Sequence, residues 1–402
     1  MLSDLPLEIV EQILSWSTLV AIARFAQTCR VYHSLIYEAR DQHLWRTLFL
    51  ADLGVFRVDD PRKCRTPLGE PLVPPGVDFD WRSGLQRRVL AETIIAKPAS
   101  CNADELNVVL ATLVGMALNT PPATAAYTSS EISLNLVWLA AQSGLGAFLE
   151  YWHARRHTLT PEQRQRLAHL HTLFGLTTSD FSPAHRVESR AYVYDMCKYR
   201  AENEWGPFRL DGSVNWEHLL AVQHVMAMYI VMPPKDLVNF TTGFLPYCQT
   251  ELPGKQTSSV RYDDWAGVEG TYTCSFCFID HRVLLEFNEQ EVSDNEPRDT
   301  SLFEASEFLE VFRSFPVSMH ITGTNANPRH PTRPDIFFKG NVHNMHTMVG
   351  TVRVAEDDTI RWSFTSGEDD QMIWSSEGVQ IGAGDPVGPF WLRKHTAEVS
   401  GD

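Results

Sequence analysis

The sequence predicts an α+β chain in three parts: a compact N-terminal module of three helices, an α-helical middle domain, and a C-terminal antiparallel β-barrel or sandwich. Two observations carry that expectation. Apolar residues recur at helical spacing as far as Met232, and after Pro233-Pro234 they give way to short alternating segments separated by Gly, Asp and Pro. A Pro- and Gly-rich interval over residues 51–81 divides the first part from the second. The expected divisions are therefore 1–50, a connection at 51–81, a helical domain at 82–232 and a β domain at 233–402.

In the first part, Asp4 is placed to cap a helix with Pro6 in its first turn, where a missing amide proton costs nothing. Ile9, Val10, Ile13 and Leu14 fall on one side of that helix, with Glu8, Glu11 and Gln12 away from it. Ser17 or Thr18 caps a second helix carrying Ile22, Phe25, Ala26 and Cys29, and a third carries Val31, Leu35 and Ile36 before Leu44, Trp45, Leu48 and Phe49. A module this small buries little surface, so part of its apolar face is expected to meet a partner. The alternative is that these helices pack on the rest of their own chain.

The middle part shows successive helical stripes: Leu106, Val109, Leu110, Leu113 and Val114, then Leu134, Val137, Trp138 and Ala141. Thr160-Pro161-Glu162 reads as a helix start. In the third part, strands are expected from Gly270 to Phe276, extended by His281 to Phe287, and at 317–322, 336–339, 349–354, 360–365, 373–380 and 389–393. Glu356-Asp357-Asp358 reads as a hairpin turn, Glu291 to Arg298 as an exposed acidic loop, and Gly323 to Pro334 as a long polar loop.

A net charge of -16 with no basic run opposes nucleic acid and anionic membrane surfaces as partners. The N terminus lacks the positive start of a signal peptide, and the apolar stretch near Leu219 to Met232 is too short to span a bilayer, so a cytoplasmic or nuclear location is expected. Seven scattered cysteines make no disulfide framework.

The order Leu5-Pro6-Leu7-Glu8-Ile9, Ile13-Leu14, Cys29 and Leu44-Trp45 resembles an F-box. That resemblance implies an adaptor subunit that docks on the Skp-type adaptor, and through it on a cullin, with Leu5, Pro6, Glu8, Ile9, Ile13, Leu14, Leu44 and Trp45 as contact candidates. Thr18-Leu19 stands where the family often has Asp-Pro, and His33 where it often has Trp, departures that bear on adaptor affinity rather than on the fold. The segments Trp205 to Phe208, Asp211-Gly212, Val214 to Trp216, Trp265 to Gly270, Phe278 to Asp280, Arg361 to Ser363, Trp374 to Gln380 and Gly388 to Trp391 resemble a family of fungal F-box proteins with a large C-terminal region. The C-terminal part is more distantly similar to the β-barrel of F-box-only proteins that capture a cyclin or a protein C terminus. The function implied is substrate recognition for an SCF-type ubiquitin ligase, without catalysis by this chain. The rivals are an F-box scaffold acting outside ubiquitination and a small-molecule-binding β-barrel.

For the protein target, Trp362, Trp374 and Trp391 offer large rigid contact areas, although strand alternation is expected to send at least some of them into the core. Arg329 and Arg333 in the long polar loop suit a carboxylate or phosphate, and a plain solvated connection fits that loop equally well. Cys274 and Cys277 with His281 form a partial zinc pattern lacking a second pair, so no metal is expected. His153 and His157 lack the Glu of a zincin helix, Gly382 to Asp385 reads as a turn, and no GxSxG elbow is present, so neither cofactor nor catalytic residues are assigned.

Overall fold

The computed structural model describes residues 5–39, 41–50, 58–123, 132–231, 242–243, 264–290, 298–342, 346–368, 371–382 and 385–395. Asp4, Met232, Pro233-Pro234, Cys248 and most of the expected acidic loop (291–297) lie outside those residues.

The N-terminal module has four short helices where three were expected: α1 (Leu7–Ser15), α2 (Leu19–Ala26), α3 (Arg30–Tyr37) and α4 (His43–Leu50). Helix α3 ends at Tyr37, and Gln42 adopts a left-handed conformation (φ 47°) directly before α4 begins at His43. Thr18 caps α2 by accepting from the Ala21 amide at 3.2 Å.

The middle is helical as expected, with α5 (Trp81–Ala96), α6 (Ala103–Leu118), α7 (Leu134–Ala141), α8 (Leu145–His153), α9 (Pro161–Phe174), α10 (Pro183–Val193) and α11 (Trp216–Ile230). Asn102 and Glu105 form a reciprocal capping box at α6, and Thr160 and Gln163 another at α9, which has Pro161 in its first turn. A two-stranded ribbon pairs β1 (Gly175–Leu176) with β2 (Thr242–Gly243).

The C-terminal region is a closed antiparallel barrel, so the sandwich alternative falls. Its strands are β3 (Gly270–Ile279), β4 (Glu310–Asn325), β5 (Asp335–Val342), β6 (His346–Val354), β7 (Ile360–Glu368), β8 (Gln371–Ile381), β9 (Asp385–Val387) and β10 (Trp391–Lys394). They pair in sequence order from β3 to β9, and β10 closes the ring between β9 and β3. The turn at 355–359 joins β6 to β7 with Asp358 at φ 59°. Three details differ from the sequence reading. Residues His281–Asn288 do not extend β3 but form helix α12, because Asp280 turns the chain and accepts from the Arg282 amide at 2.8 Å. Strand β4 takes in the first residues of the expected 323–334 loop, and the short strand β9 follows the expected turn at Gly382.

The barrel interior is filled by Tyr272, Phe338, Trp362 and Phe364 among aliphatic neighbours. The Trp362 indole meets the Tyr272 and Phe338 rings at 6.2 and 5.4 Å and donates to Gln380 Oε1 at 3.0 Å. The four-helix module and the helical middle share one core, which also takes in Val379, Ile381, Val387 and Trp391 from the barrel. A buried polar joint reinforces that seam. Glu310 of β4 accepts from Arg190 Nη2 (2.9 Å), Tyr194 (2.8 Å) and Tyr229 (2.8 Å) of the helical region. Residues 58–80 form no helix or strand but bridge the two bodies: Leu68 joins the barrel core, and its carbonyl accepts from Arg333.

Candidate functional site

Helix α1 carries two neighbouring apolar stripes. Val10 and Leu14 turn inward and are 1% and 5% exposed, whereas Ile9 and Ile13, one position behind each, are 47% and 45% exposed. The reason is geometric: adjacent helical positions differ by about 100°, so a single stripe cannot hold all four. Leu5, Leu7, Trp16 (75% exposed), Val20 and Val31 add to the outward apolar surface. Pro6, which lacks an amide proton, offers its carbonyl to the Ile9 and Val10 amides at 3.0 and 3.2 Å and so starts the helix.

The core that the module shares with the helical middle is closed without these residues. Leu14, Leu44 and Trp45 are interior, and the Trp45 indole donates to the Ile36 carbonyl at 2.6 Å. Their place is to hold the exposed stripe in position, while Leu5, Pro6, Glu8, Ile9 and Ile13 stand at the surface. Leu7, Trp16, Val20 and Val31 were not singled out as contacts from the sequence; an apolar residue left over after each helix had filled its inward stripe was the signal that could have found them.

The module is fixed to the body. Arg82 of α5 donates through Nη1 to the Tyr37 carbonyl at 2.9 Å, its amide donates to Gln42 Oε1 at 3.1 Å, and Phe49 packs edge-on against Phe79 and Trp81. A partner held on α1 is therefore held in a defined direction relative to the barrel.

The five residues singled out for a target do not converge. Trp362 fills the barrel, and Trp391, 4% exposed, lies in the helix-barrel seam. Arg329 and Arg333 follow β4 at the barrel end that also carries the β6–β7 turn, and Arg329 pairs there with Glu356. Arg333 is spent on the Leu68 carbonyl and lies 5.7 Å from the Trp265 ring. Trp374 stands at the opposite end, near the start of β8, and is 71% exposed beside exposed Ile373. Its register partner Ser366 continues the series Trp362 and Phe364, so Trp374 sits at the rim where the inward-facing row runs out of barrel.

Several of the described cysteines and histidines elsewhere are engaged with their own chain. Cys274 and Cys277, three apart on β3, face opposite sides: the first packs in the barrel and the second against the helices, and burial pushes both thiols up to about 12. His153 is tied to Glu188 (3.7 Å) with Arg156 beside it, and a cation there would oppose that guanidinium. Deeper inside, Asp180 accepts from the Thr177 amide (2.5 Å), Thr177 Oγ1 (3.0 Å) and His171 Nε2 (3.1 Å), with His185 Nδ1 at 3.0 Å. Burial works against its ionisation, but the facing His171 and its hydrogen bond, with His185 close by, prevail and hold the carboxyl well below the usual range. His224 uses both ring nitrogens, one with Ser189 Oγ at 2.7 Å and the other with the Asp180 carbonyl at 2.8 Å; burial pushes its pKa down to about 4. Ser189 and His224 are 5% and 2% exposed, so this pair is cut off from any substrate. Among the described residues, no helix is long and apolar enough to cross a membrane.

Comparison with known proteins agrees with the N-terminal geometry: the family model described as F-box-like matches residues 2–51. No curated protein and no solved structure matches the chain, so the likeness to a fungal family rests on the quoted motifs alone. With that match, and with an apolar face left outside the core, the chain carries an F-box-like domain at residues 2–51, followed by a helical region and a closed eight-stranded barrel.

Proposed function

We propose that the chain is a substrate receptor of an SCF-type ubiquitin ligase, acting in the cytoplasm or nucleus. Leu5, Leu7, Ile9, Ile13 and Trp16 dock on the Skp-type adaptor and through it on a cullin, and the barrel presents a protein target. The observation that carries this reading is the second apolar stripe of α1, exposed although the shared core is complete without it. Removing such side chains from water drives association at roughly 25 cal/mol per Å². Catalysis stays with other subunits. The receptor's part is positional, raising the effective concentration of target lysines near the charged conjugating enzyme. For the target, exposed Trp374 and Ile373 at the barrel rim are the preferred contact, since a rigid aromatic anchor gives contact area at low entropic cost.

The test is co-purification of the full chain with a Skp-type adaptor, wild type against the double variant Ile9→Asp, Ile13→Asp. Both positions are exposed, so the variant should keep its far-UV circular dichroism and melting temperature while adaptor affinity drops about a hundredfold or more. Equal binding by the variant, or none by the folded wild type, would remove the ligase reading. Adaptor binding that never recruits a cullin would favour a scaffold acting outside ubiquitination.

A further inference from the structure

A cavity of about 510 Å³, open to solvent, lies between residues 58–80 and helices α5 and α6, with one wall completed by α9. Its cationic side chains are Arg87, Arg88 and Arg166, and no Asp or Glu is among its described lining residues. In a chain of net charge -16 that is a local reversal of sign. Arg88 is the key to it. Its guanidinium lies 4.4 Å from the Phe49 ring, and its Nη1 is buried with no hydrogen-bond partner. Burial pushes the Arg88 pKa down to about 10, the direction expected of a cation lacking adequate compensation.

Asp59 is the neighbouring carboxylate, and it is committed elsewhere. One of its oxygens accepts from the Leu134 amide (2.9 Å), and the other from Ser133 Oγ (2.5 Å) and the Asn135 amide (3.1 Å), at the start of α7. The fold thus gives Asp59's hydrogen bonds to a helix N-terminus and leaves Arg88 short of a partner. A buried donor without an acceptor is destabilising by itself and is relieved by an oxyanion that supplies one. The guanidinium's planar fork matches a carboxylate or phosphate, whereas Leu72, Phe79 and Met116 give the same cavity an apolar wall. The volume falls within the range of small-molecule sites.

We propose that this cavity binds a small organic anion, a carboxylate or phosphate ester, whose oxyanion is held by Arg88 with Arg87 and Arg166 nearby and whose apolar body rests against Leu72, Phe79 and Met116. No covalent step is involved; burial pushes the lining Cys64 thiol up to about 12, far from a reactive thiolate. The site is separate from the α1 face and does not depend on adaptor docking. Because Phe49, against which Arg88 lies, belongs to the last helix of the F-box, occupancy would stiffen the joint between the F-box and the body.

Titration calorimetry on the full chain tests this with four probes: phenylacetate, phenyl phosphate, inorganic phosphate and benzyl alcohol. Saturable binding of at least one aryl anion is expected, about tenfold or more tighter than inorganic phosphate or the neutral alcohol, and the tighter of the two identifies the oxyanion. Arg88→Met should weaken that binding about ten- to a hundredfold. Exposed Arg166→Gln should weaken it a few fold while melting like wild type, so it decides the matter if Arg88→Met fails to fold. Absence of saturable binding by both aryl anions, or affinity unchanged in both variants, would overturn the assignment. Inorganic phosphate binding as tightly as phenyl phosphate would overturn the apolar half of it.

Discussion

Helix α1 and strand β7 are both dense in large apolar residues, and they dispose of them in opposite ways. In α1, Val10 and Leu14 join the shared core while Ile9 and Ile13 stay in water. In β7, Trp362 and Phe364 are both drawn inside, and the strand leaves no comparable surplus. The same side-chain chemistry therefore does two jobs. In the barrel it is structural and consumed by folding; in the F-box half of it is withheld from folding and remains available for a partner. Tyr272, Phe338, Trp362 and Phe364 fill the barrel interior, which counts against a ligand cavity at its centre.

The largest effect that would break this contrast belongs to the barrel. Trp362→Ala removes a fully buried indole and leaves Gln380 without its indole donor, so a loss of about 3–5 kcal/mol is expected in urea unfolding. A loss under about 1 kcal/mol would mean that the barrel is not held by its aromatic filling. Next comes a paired comparison within α1. Leu14→Ala should cost about 2–4 kcal/mol and accelerate amide exchange across the F-box helices, whereas Ile13→Ala should stay within about 0.5 kcal/mol of wild type. Adaptor affinity should rank the two the other way once each is measured in its folded state. If both substitutions destabilised equally, the second stripe would be part of the core and the division of labour in α1 would fail.

Periodicity alone could locate α1 but could not say which of two adjacent stripes faces inward, because both Ile9/Ile13 and Val10/Leu14 satisfy the i, i+4 rule. The decision is made by the rest of the chain, α4 above all, which covers one stripe only. The helical middle and the barrel were legible for a related reason: long runs of one period over many residues, with turn residues between them. Parity was likewise insufficient for the tryptophans. Trp362 and Trp374 pair with inward positions of the same row, but distance along the barrel decides that one is sealed and the other stands at the rim. Asp280 as a cap at α12 was local and could have been read from the sequence; β9 is too short to show a period. The Glu310 joint could not be read at all, since Arg190, Tyr194 and Tyr229 come to it from remote parts of the chain.

The smallest effect tests the seam where the barrel closes. Asp385 opens β9, and one of its oxygens accepts from the Lys394 amide of β10 at 2.9 Å, so it ties together two of the strands that complete the ring. Burial raises its pKa from 3.8 to about 6, against the smaller opposing pull of that hydrogen bond and of Arg393 and Lys394. A raised carboxyl means that the folded chain keeps a proton the unfolded chain has already released. The stability this contributes is complete below about pH 4, declines as pH rises, and is gone above about pH 6. Asp385→Asn supplies an uncharged acceptor at the same place. It should therefore flatten the fall in stability between pH 4 and 6 and leave the variant about 1 kcal/mol more stable than wild type at pH 7, read from urea midpoints. The F-box variant Ile13→Ala, measured in parallel, should follow the wild-type pH curve without that change in slope. If Asp385→Asn also followed it, the carboxyl would be adequately solvated at the closing strands, and the barrel seam would be as open to water as the outward face of α1.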